Sequence, residues 1–411
     1  MRRRPLRPLL AAAITLACSF EFGRVAAAQT STPPVAPAKF LYSSDFSGNK
    51  VLGYTVNATT GQIKPTRQAS APAHKGPTRV RSDKGGFRLY VINQTSKDLS
   101  AYFIFRNDGS LHSVPRSPVI LGRTPYDLAV HPSGHFVYAV TLTSSTNPES
   151  FVYAFAVQTN GSLKPVPGSP FPTSDWAQTL TIDPEGKYLY VSTSPITPFP
   201  SKSFVAAYAI SSTDGALTPL PGSPYEEPNS PNCANGAWDV AVHPSGNFLL
   251  LPNVCEGTVV YRIERSTGTL RLIKGSPFPP PGLGFTNIGN VESITMDPKG
   301  VYFWVTDAYC DSGCSMATDT WKLNTTTGVP TYLESGIGGC GLLARSDPSG
   351  KFLFEIGDTT SNPACSGGPV ISGIWGFSVN RSNGSLKKVT GSPWKSPNSN
   401  SSFSDGLAIT P

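Results

Sequence analysis

The chain has little charge, few histidines and no long apolar run. Only 14% of its 411 residues are Asp, Glu, Lys or Arg, and five are histidines. No stretch approaches the roughly 18 consecutive apolar residues of a membrane helix, so no membrane span is expected. The Ala, Leu, Glu and Lys richness of helical proteins is missing too. The body of the chain has no basic run and no RNA-binding aromatic motif, so no nucleic-acid partner is expected. A G-x-S-x-G nucleophile elbow and an EF-hand loop are both lacking. What is plentiful is Gly (39) and Pro (40), which suits many short strands joined by turns.

Residues 1–28 differ from the rest. Basic MRRRPLRP, apolar LLAAAITLAC and FEFGRVAAA before Gln29 make the three-part pattern of a secretory signal peptide cut after Ala28. A lipoprotein cut before Cys18 is the second reading, and the paired arginines raise twin-arginine export as a route. The mature chain is therefore expected to be exported, periplasmic or extracellular. The leader holds Arg2, Arg3, Arg4, Arg7 and Arg24 against Glu21, so it takes +4 of the formal +7 and leaves +3. Residues 29–38 read as a Pro/Ala-rich linker and 39–411 as one domain.

That domain is repetitive. SDKGG (82–86), VHPSG (130–134), IDPEG (182–186), VHPSG (242–246), MDPKG (296–300) and SDPSG (346–350) are variants of one turn, and the chain ends in AITP where another is due. Each is followed by an aromatic, apolar stretch such as FVYAV, YLYV or YFWV, then by an aromatic-x-aliphatic strand such as Tyr208/Ile210, then by a glycine turn such as TDGAL. Most units close on a segment like VPGSPF or LPGSPY. Four strands per unit, a period of about 50 residues and seven units predict an all-β fold, a seven-bladed β-propeller of four-stranded antiparallel blades. The C-terminal SDGLAITP is an inner-type strand and the first unit lacks one, so the last strand should complete the first blade and close the ring.

DLAVHPSGHFVYAV, DGALTPLPGSPY and DPEGKYLYV make residues 39–411 resemble the seven-bladed lactonase propellers, the family of 6-phosphogluconolactonase and carboxymuconate cyclase. The resemblance implies a lactone as small-molecule substrate, a site in the central funnel at the starts of the inner strands, and His and Arg at those starts. The corresponding strings here are WAQTLTIDP, GAWDVAVHP and GCGLLARSDP. A non-catalytic propeller binding glycans or proteins therefore stands as the alternative, with a structural envelope protein third.

Opening a lactone takes an activated water and a donor or cation for the developing oxyanion. Counting back five positions from each turn proline, with Lys84 taken as its equivalent in SDKGG, gives Arg79, Asp127, Thr179, Asp239, Ser293, Leu343 and Gly406. Counting back six gives Thr78, Tyr126, Gln178, Trp238, Glu292, Leu342 and Asp405. Glu292 or Asp239 is the candidate base, with Arg79 and His74 binding the ester or carboxylate. Asp127, Tyr126, Gln178 and Asp405 are candidate substrate contacts, and Trp176 and Trp238 candidate sugar-stacking walls. The other reading of the acids is that they cap strand ends.

No cofactor is expected: GIGGCG (336–341) fits G-x-G-x-x-G but precedes a strand rather than a helix. Once the leader is gone six cysteines remain, which permit fifteen pairings. The blade register places Cys233 with Cys255 and Cys340 with Cys365 in loops on one face, and Cys310 with Cys314 in a local loop; these pairings are the expected disulfides. A metal site is not expected, since no histidine lies nearby. The mature chain is expected to be a monomer. His131 and His243 hold the slot that Asp183, Asp297 and Asp347 fill elsewhere, ahead of Pro and three residues before Gly. They read as type I turn residues on the face opposite the funnel mouth.

Overall fold

A computed structural model describes residues 39–142, 149–173, 176–193, 203–228, 237–253, 257–281, 290–311, 313–335, 341–358, 372–395 and 403–411. The leader and its cleavage site lie outside the described residues.

Seven antiparallel sheets of four strands form the ring, four of them with a short fifth piece that pairs with the third strand beside the outer one. Blade 1 consists of Lys39–Asp45, Lys50–Val56 and Ile63–Pro72. Its inner edge is the C-terminal strand Phe403–Ile409, with Leu41 opposite Ile409 and Ser43 opposite Leu407. The ring closure expected from the sequence is therefore present, and a bond from Phe40 N to Thr410 Oγ1 (2.9 Å) secures it. The inner strands of blades 2 to 7 are Pro77–Ser82, Pro125–Val130, Ala177–Ile182, Ala241–Val242, Asn290–Met296 and Gly341–Ser346. Their neighbours are Arg88–Asn93, Phe136–Thr141, Tyr188–Thr193, Phe248–Asn253, Tyr302–Asp311 and Phe352–Asp358.

These second strands are apolar on both faces because each blade is sandwiched between two others; Phe136–Thr141 and Tyr188–Thr193 are buried throughout. The core is accordingly divided into seven clusters, one per blade boundary. The recurring Gly-Ser-Pro also has a structural cause. Where the outer strand breaks, the serine hydroxyl takes the amide hydrogen bond that the ladder drops, as from Ala154 to Ser169, Ala207 to Ser223 and Val260 to Ser276 (2.9 Å each).

The turns between first and second strands behave as their sequence implies. Asp183 Oδ1 accepts from the amides of Lys187 (2.6 Å) and Tyr188 (2.7 Å). In the same slot His131 Nδ1 accepts from Ser133 N and His243 Nδ1 from Ser245 N, both at 3.1 Å. The histidines do one thing more. His131 Nε2 donates to Gly186 O (2.8 Å) and His243 Nε2 to Gly300 O (2.9 Å), each reaching the turn of the next blade.

Candidate functional site: a charged belt in the central channel

The inner strands line the channel at the centre of the ring, and residues two apart on a strand share a face. The positions five and three before the turn-proline slot thus lie together, and among the described residues they hold the channel's charge. Arg79 and Arg81 come from blade 2, Asp127 from blade 3, Asp239 from blade 5 and Arg345 from blade 7. Arg81 Nη2 is 3.0 Å and Arg79 Nε 4.0 Å from Asp127 Oδ1, and Arg345 Nη1 is 3.6 Å from Asp239 Oδ2. Among the described residues the belt has three guanidiniums for two carboxylates, one net positive charge. Burial, reinforced by Arg81, pulls Arg345 down to about 10 against the opposing pull of Asp239.

The carboxylates are also the mortar between inner strands. Asp239 Oδ1 accepts from Val240 N (2.9 Å) and its Oδ2 from Ile294 N of the next blade (3.1 Å). Asp127 Oδ2 accepts from Leu180 N (3.4 Å), and Ser293 Oγ does the same for Ala344 N (3.1 Å). Towards the turn face the belt opens into a cavity of about 330 Å³, walled by Ala129, Ala241, Thr181, Thr295, Val242 and Met296.

The row one step further out has its own character. Strand register slips between Ala177 and Thr179, between Val291 and Ser293, and between Gly341 and Leu343. Gln178, Glu292 and Leu342 are thus bulge residues, and Tyr126 sits at the matching slip in blade 3. A bulge at a rim re-aims one side chain per strand, which suits a binding mouth. Tyr126 carries Arg79 over its ring, with Cζ 5.6 Å from the centroid. Gln178 is buried and its Oε1 has no partner among the described residues. Trp238 and Trp176 are half-buried at the starts of the blade 5 and blade 4 inner strands. The side chains of Glu292 and Asp405 lie outside the described residues.

His74 stands apart from the belt, half-exposed in the loop entering blade 2. Its Nδ1 is 2.8 Å from Oδ2 of the buried Asp98, whose Oδ1 accepts from Asn93 Nδ2 at 2.7 Å. Burial pushes Glu227, held by Asn253, and Glu355, held by Thr318 Oγ1 (2.6 Å), up to about 7.

Sequence reasoning placed Arg79, Asp127 and Asp239 in the channel but missed Arg81 and Arg345. The signal was the arginine three residues before the turn-proline slot in RVRSDK and LLARSDP. It also missed Asp98, which precedes no turn proline. Of the cysteines, Cys310 is directly opposite Cys314 in a strand hairpin, their side chains outside the described residues. Cys233, Cys255, Cys340 and Cys365 lie wholly outside the described residues. Among the described residues no three of His, Cys, Asp and Glu gather as a metal set, and no helix is long and apolar enough to cross a membrane.

No protein-family profile matches the chain. It is 26% identical to the 6-phosphogluconolactonase of Yersinia pestis over 255 residues, 58% of this chain and 68% of the relative. It is 24% identical to the 6-phosphogluconolactonase of Pectobacterium carotovorum over 275 residues, 61% and 74% of the two chains. In fold it matches the periplasmic gluconolactonase of Pseudomonas aeruginosa with a TM-score of 0.67 at 17% identity, covering 92% of this chain and 99% of that one. With seven four-stranded blades and these relatives, the chain is similar to the seven-bladed lactonase propellers.

Proposed function

We propose that the chain is an exported lactonase that hydrolyses a negatively charged sugar or carboxylic lactone in its central channel. The observation that carries this reading is the belt of Arg79, Arg81 and Arg345, one charge in excess of Asp127 and Asp239 and largely withdrawn from water. Such a belt attracts an anion and strengthens as water is displaced. The names of the relatives support a lactone as substrate, and that of the Pseudomonas neighbour supports export. The leader and a monomeric mature chain belong to the same reading.

In the step itself a water oxygen attacks the lactone carbonyl carbon and the ring C–O bond breaks. One water proton passes to a base and the ring oxygen gains a proton, so the product is a hydroxy acid. Arg79 is assigned to the developing oxyanion, and Arg81 and Arg345 to the substrate's own negative group. Glu292, at the bulge of the blade 6 inner strand, is assigned the base. Asp239 already accepts two amide hydrogens, so its part is to hold Ile294 and Arg345.

The engagement of Asp127 and Asp239 favours one other reading, a propeller that binds a glycan without turnover. Assay of the mature protein against a panel of sugar and aliphatic lactones separates the two. The lactonase reading expects turnover, a loss of about a hundredfold or more in kcat for Glu292→Gln, and a raised KM for Arg345→Met. No turnover on any lactone, with measurable glycan binding, selects the other.

A further inference from the structure

The boundary between blades 2 and 3 breaks a rule that the ring otherwise keeps. At the other six boundaries the aromatic that begins a second strand covers the hairpin glycine of the next blade. Phe40, Phe136, Tyr188, Phe248, Tyr302 and Phe352 lie where a methyl group on Gly109, Gly215, Gly268, Gly328, Gly384 and Gly61 would have to sit. In blade 2 Arg88 stands in place of that aromatic. In blades 1, 3 and 4 the residue two further on is a tyrosine that donates to the same glycine's carbonyl, Tyr42 to Gly109, Tyr138 to Gly215 and Tyr190 to Gly268 at 2.8, 2.8 and 2.9 Å; blades 5 to 7 have Leu250, Trp304 and Phe354 there. Tyr90, their counterpart, is fully buried and its hydroxyl has no partner among the described residues.

The cause is in the sequence of blade 3. Its hairpin is one residue short, with Gly161 N bonded to Gln158 O, whereas Gly215 N reaches Ser211 O and Gly384 N reaches Asn380 O. The missing residue draws the hairpin back from Tyr90. The same hairpin puts Thr159 where blades 5 and 7 carry Arg265 and Arg381, which bridge back to Glu185 and Asp297 of the preceding blade. On the turn face, therefore, Gly186, Gly246, Gly300 and Gly350 are each covered by a His or Arg side chain, and Gly134 is open.

What remains is a cleft of about 420 Å³ whose walls include Lys84, Phe87, Arg88, Ser133, His135 and Thr159. Lys84 and Arg88 face one carboxylate, Asp83, which already accepts from Phe87 N (2.7 Å) and lies 3.6 Å from Arg88 Nη1. Arg88 Nε is buried with no partner among the described residues. Arg106, over the Phe87 ring at 4.9 Å, adds positive charge beside the cleft. A buried, unspent guanidinium donor in a positive cleft calls for an acceptor from outside.

We infer that the blade 2–blade 3 cleft on the turn face binds a small-molecule anion through its carboxylate or phosphate, with Arg88 and Lys84 as cationic partners and the half-exposed Phe87 ring as its apolar wall. The site is separate from the channel and does not depend on lactone hydrolysis.

The test is calorimetric titration of the mature protein at pH 7 and low salt with inorganic phosphate and, separately, D-gluconate. Two variants restore the repeat's own residues, Arg88→Phe and Lys84→Pro, and a third, Arg345→Met, weakens the channel instead. The expected result is binding of at least one anion, weakened about thirtyfold in Arg88→Phe, weakened also in Lys84→Pro, and kept in Arg345→Met. Preference for phosphate or for gluconate identifies which anionic group the cleft takes. No binding of either anion to the wild type, equal binding to Arg88→Phe, or loss in Arg345→Met alone would overturn the inference.

Discussion

Glu355 is the sharpest handle on the fold's energetics. It is the fourth residue of Phe352–Asp358, a slot that holds Val91, Ala139, Val191, Leu251 and Val305 in blades 2 to 6. Its carboxyl is fully buried, accepts one hydrogen bond from Thr318, and is pushed from 4.5 to about 7 by burial. A raised carboxyl pKa means that the fold holds its proton more tightly than the unfolded chain does. Its contribution is therefore complete below pH 4.5, is lost as pH rises towards 7, and stays lost above that. A rise of this size corresponds to about 3 kcal/mol. Glu355→Gln keeps an acceptor for Thr318 and removes the titration. Urea unfolding from pH 4.5 to 8 should show the variant equal to wild type at the acid end. At pH 7 and above it should be the more stable by about 3 kcal/mol, roughly 1 M in midpoint for an m of about 3 kcal/mol/M. Parallel pH profiles for the two proteins would refute the assignment.

Three further outcomes follow from the same contacts. Tyr138→Phe strands Gly215 O and should cost about 1–2 kcal/mol, whereas Tyr90→Phe, at the irregular boundary, should cost nothing or stabilise; urea midpoints compare them. Burial lowers His243 below its usual range while its two nitrogens bond Gly300 and Ser245, so its contribution is whole above pH 6.5 and falls away below it; His243→Gln should flatten that part of the acid limb. Mass spectrometry of unreduced peptides should find Cys310 joined to Cys314, Cys233 to Cys255 and Cys340 to Cys365, and any other pairing contradicts the blade register.

The ring was readable because a repeat states its own register. Six copies of one turn, a C-terminal strand without a partner and an N-terminal blade without an inner strand led directly to Leu41 opposite Ile409. The channel was only partly readable. Counting back from the turn found Arg79, Asp127 and Asp239, but it stopped at the mouth and passed over Arg81 and Arg345, although residues two apart share a face. Nor does period-2 reasoning announce a bulge, in which two residues oppose one; Gln178 and Glu292 are set off from their strands by pairing geometry. The partner of His74 was hidden for another reason: Asp98 lies 24 residues on, in a different strand, and only folding joins them. His131 and His243 read correctly as turn residues, yet their Nε2 bonds to the next blade became visible only with the neighbouring turns in place.

The central claim is that the belt's excess of arginine over Asp127 and Asp239 selects an anionic lactone. The most direct measurement is kcat/KM of the mature protein for a neutral sugar lactone and for the same lactone carrying a phosphate or carboxylate, each with wild type and with Arg345→Met. The account predicts that the anionic lactone is preferred by the wild type and that the preference collapses by about tenfold or more in the variant, with the neutral lactone little changed. Equal turnover of the two lactones, or an unchanged preference in Arg345→Met, would contradict it.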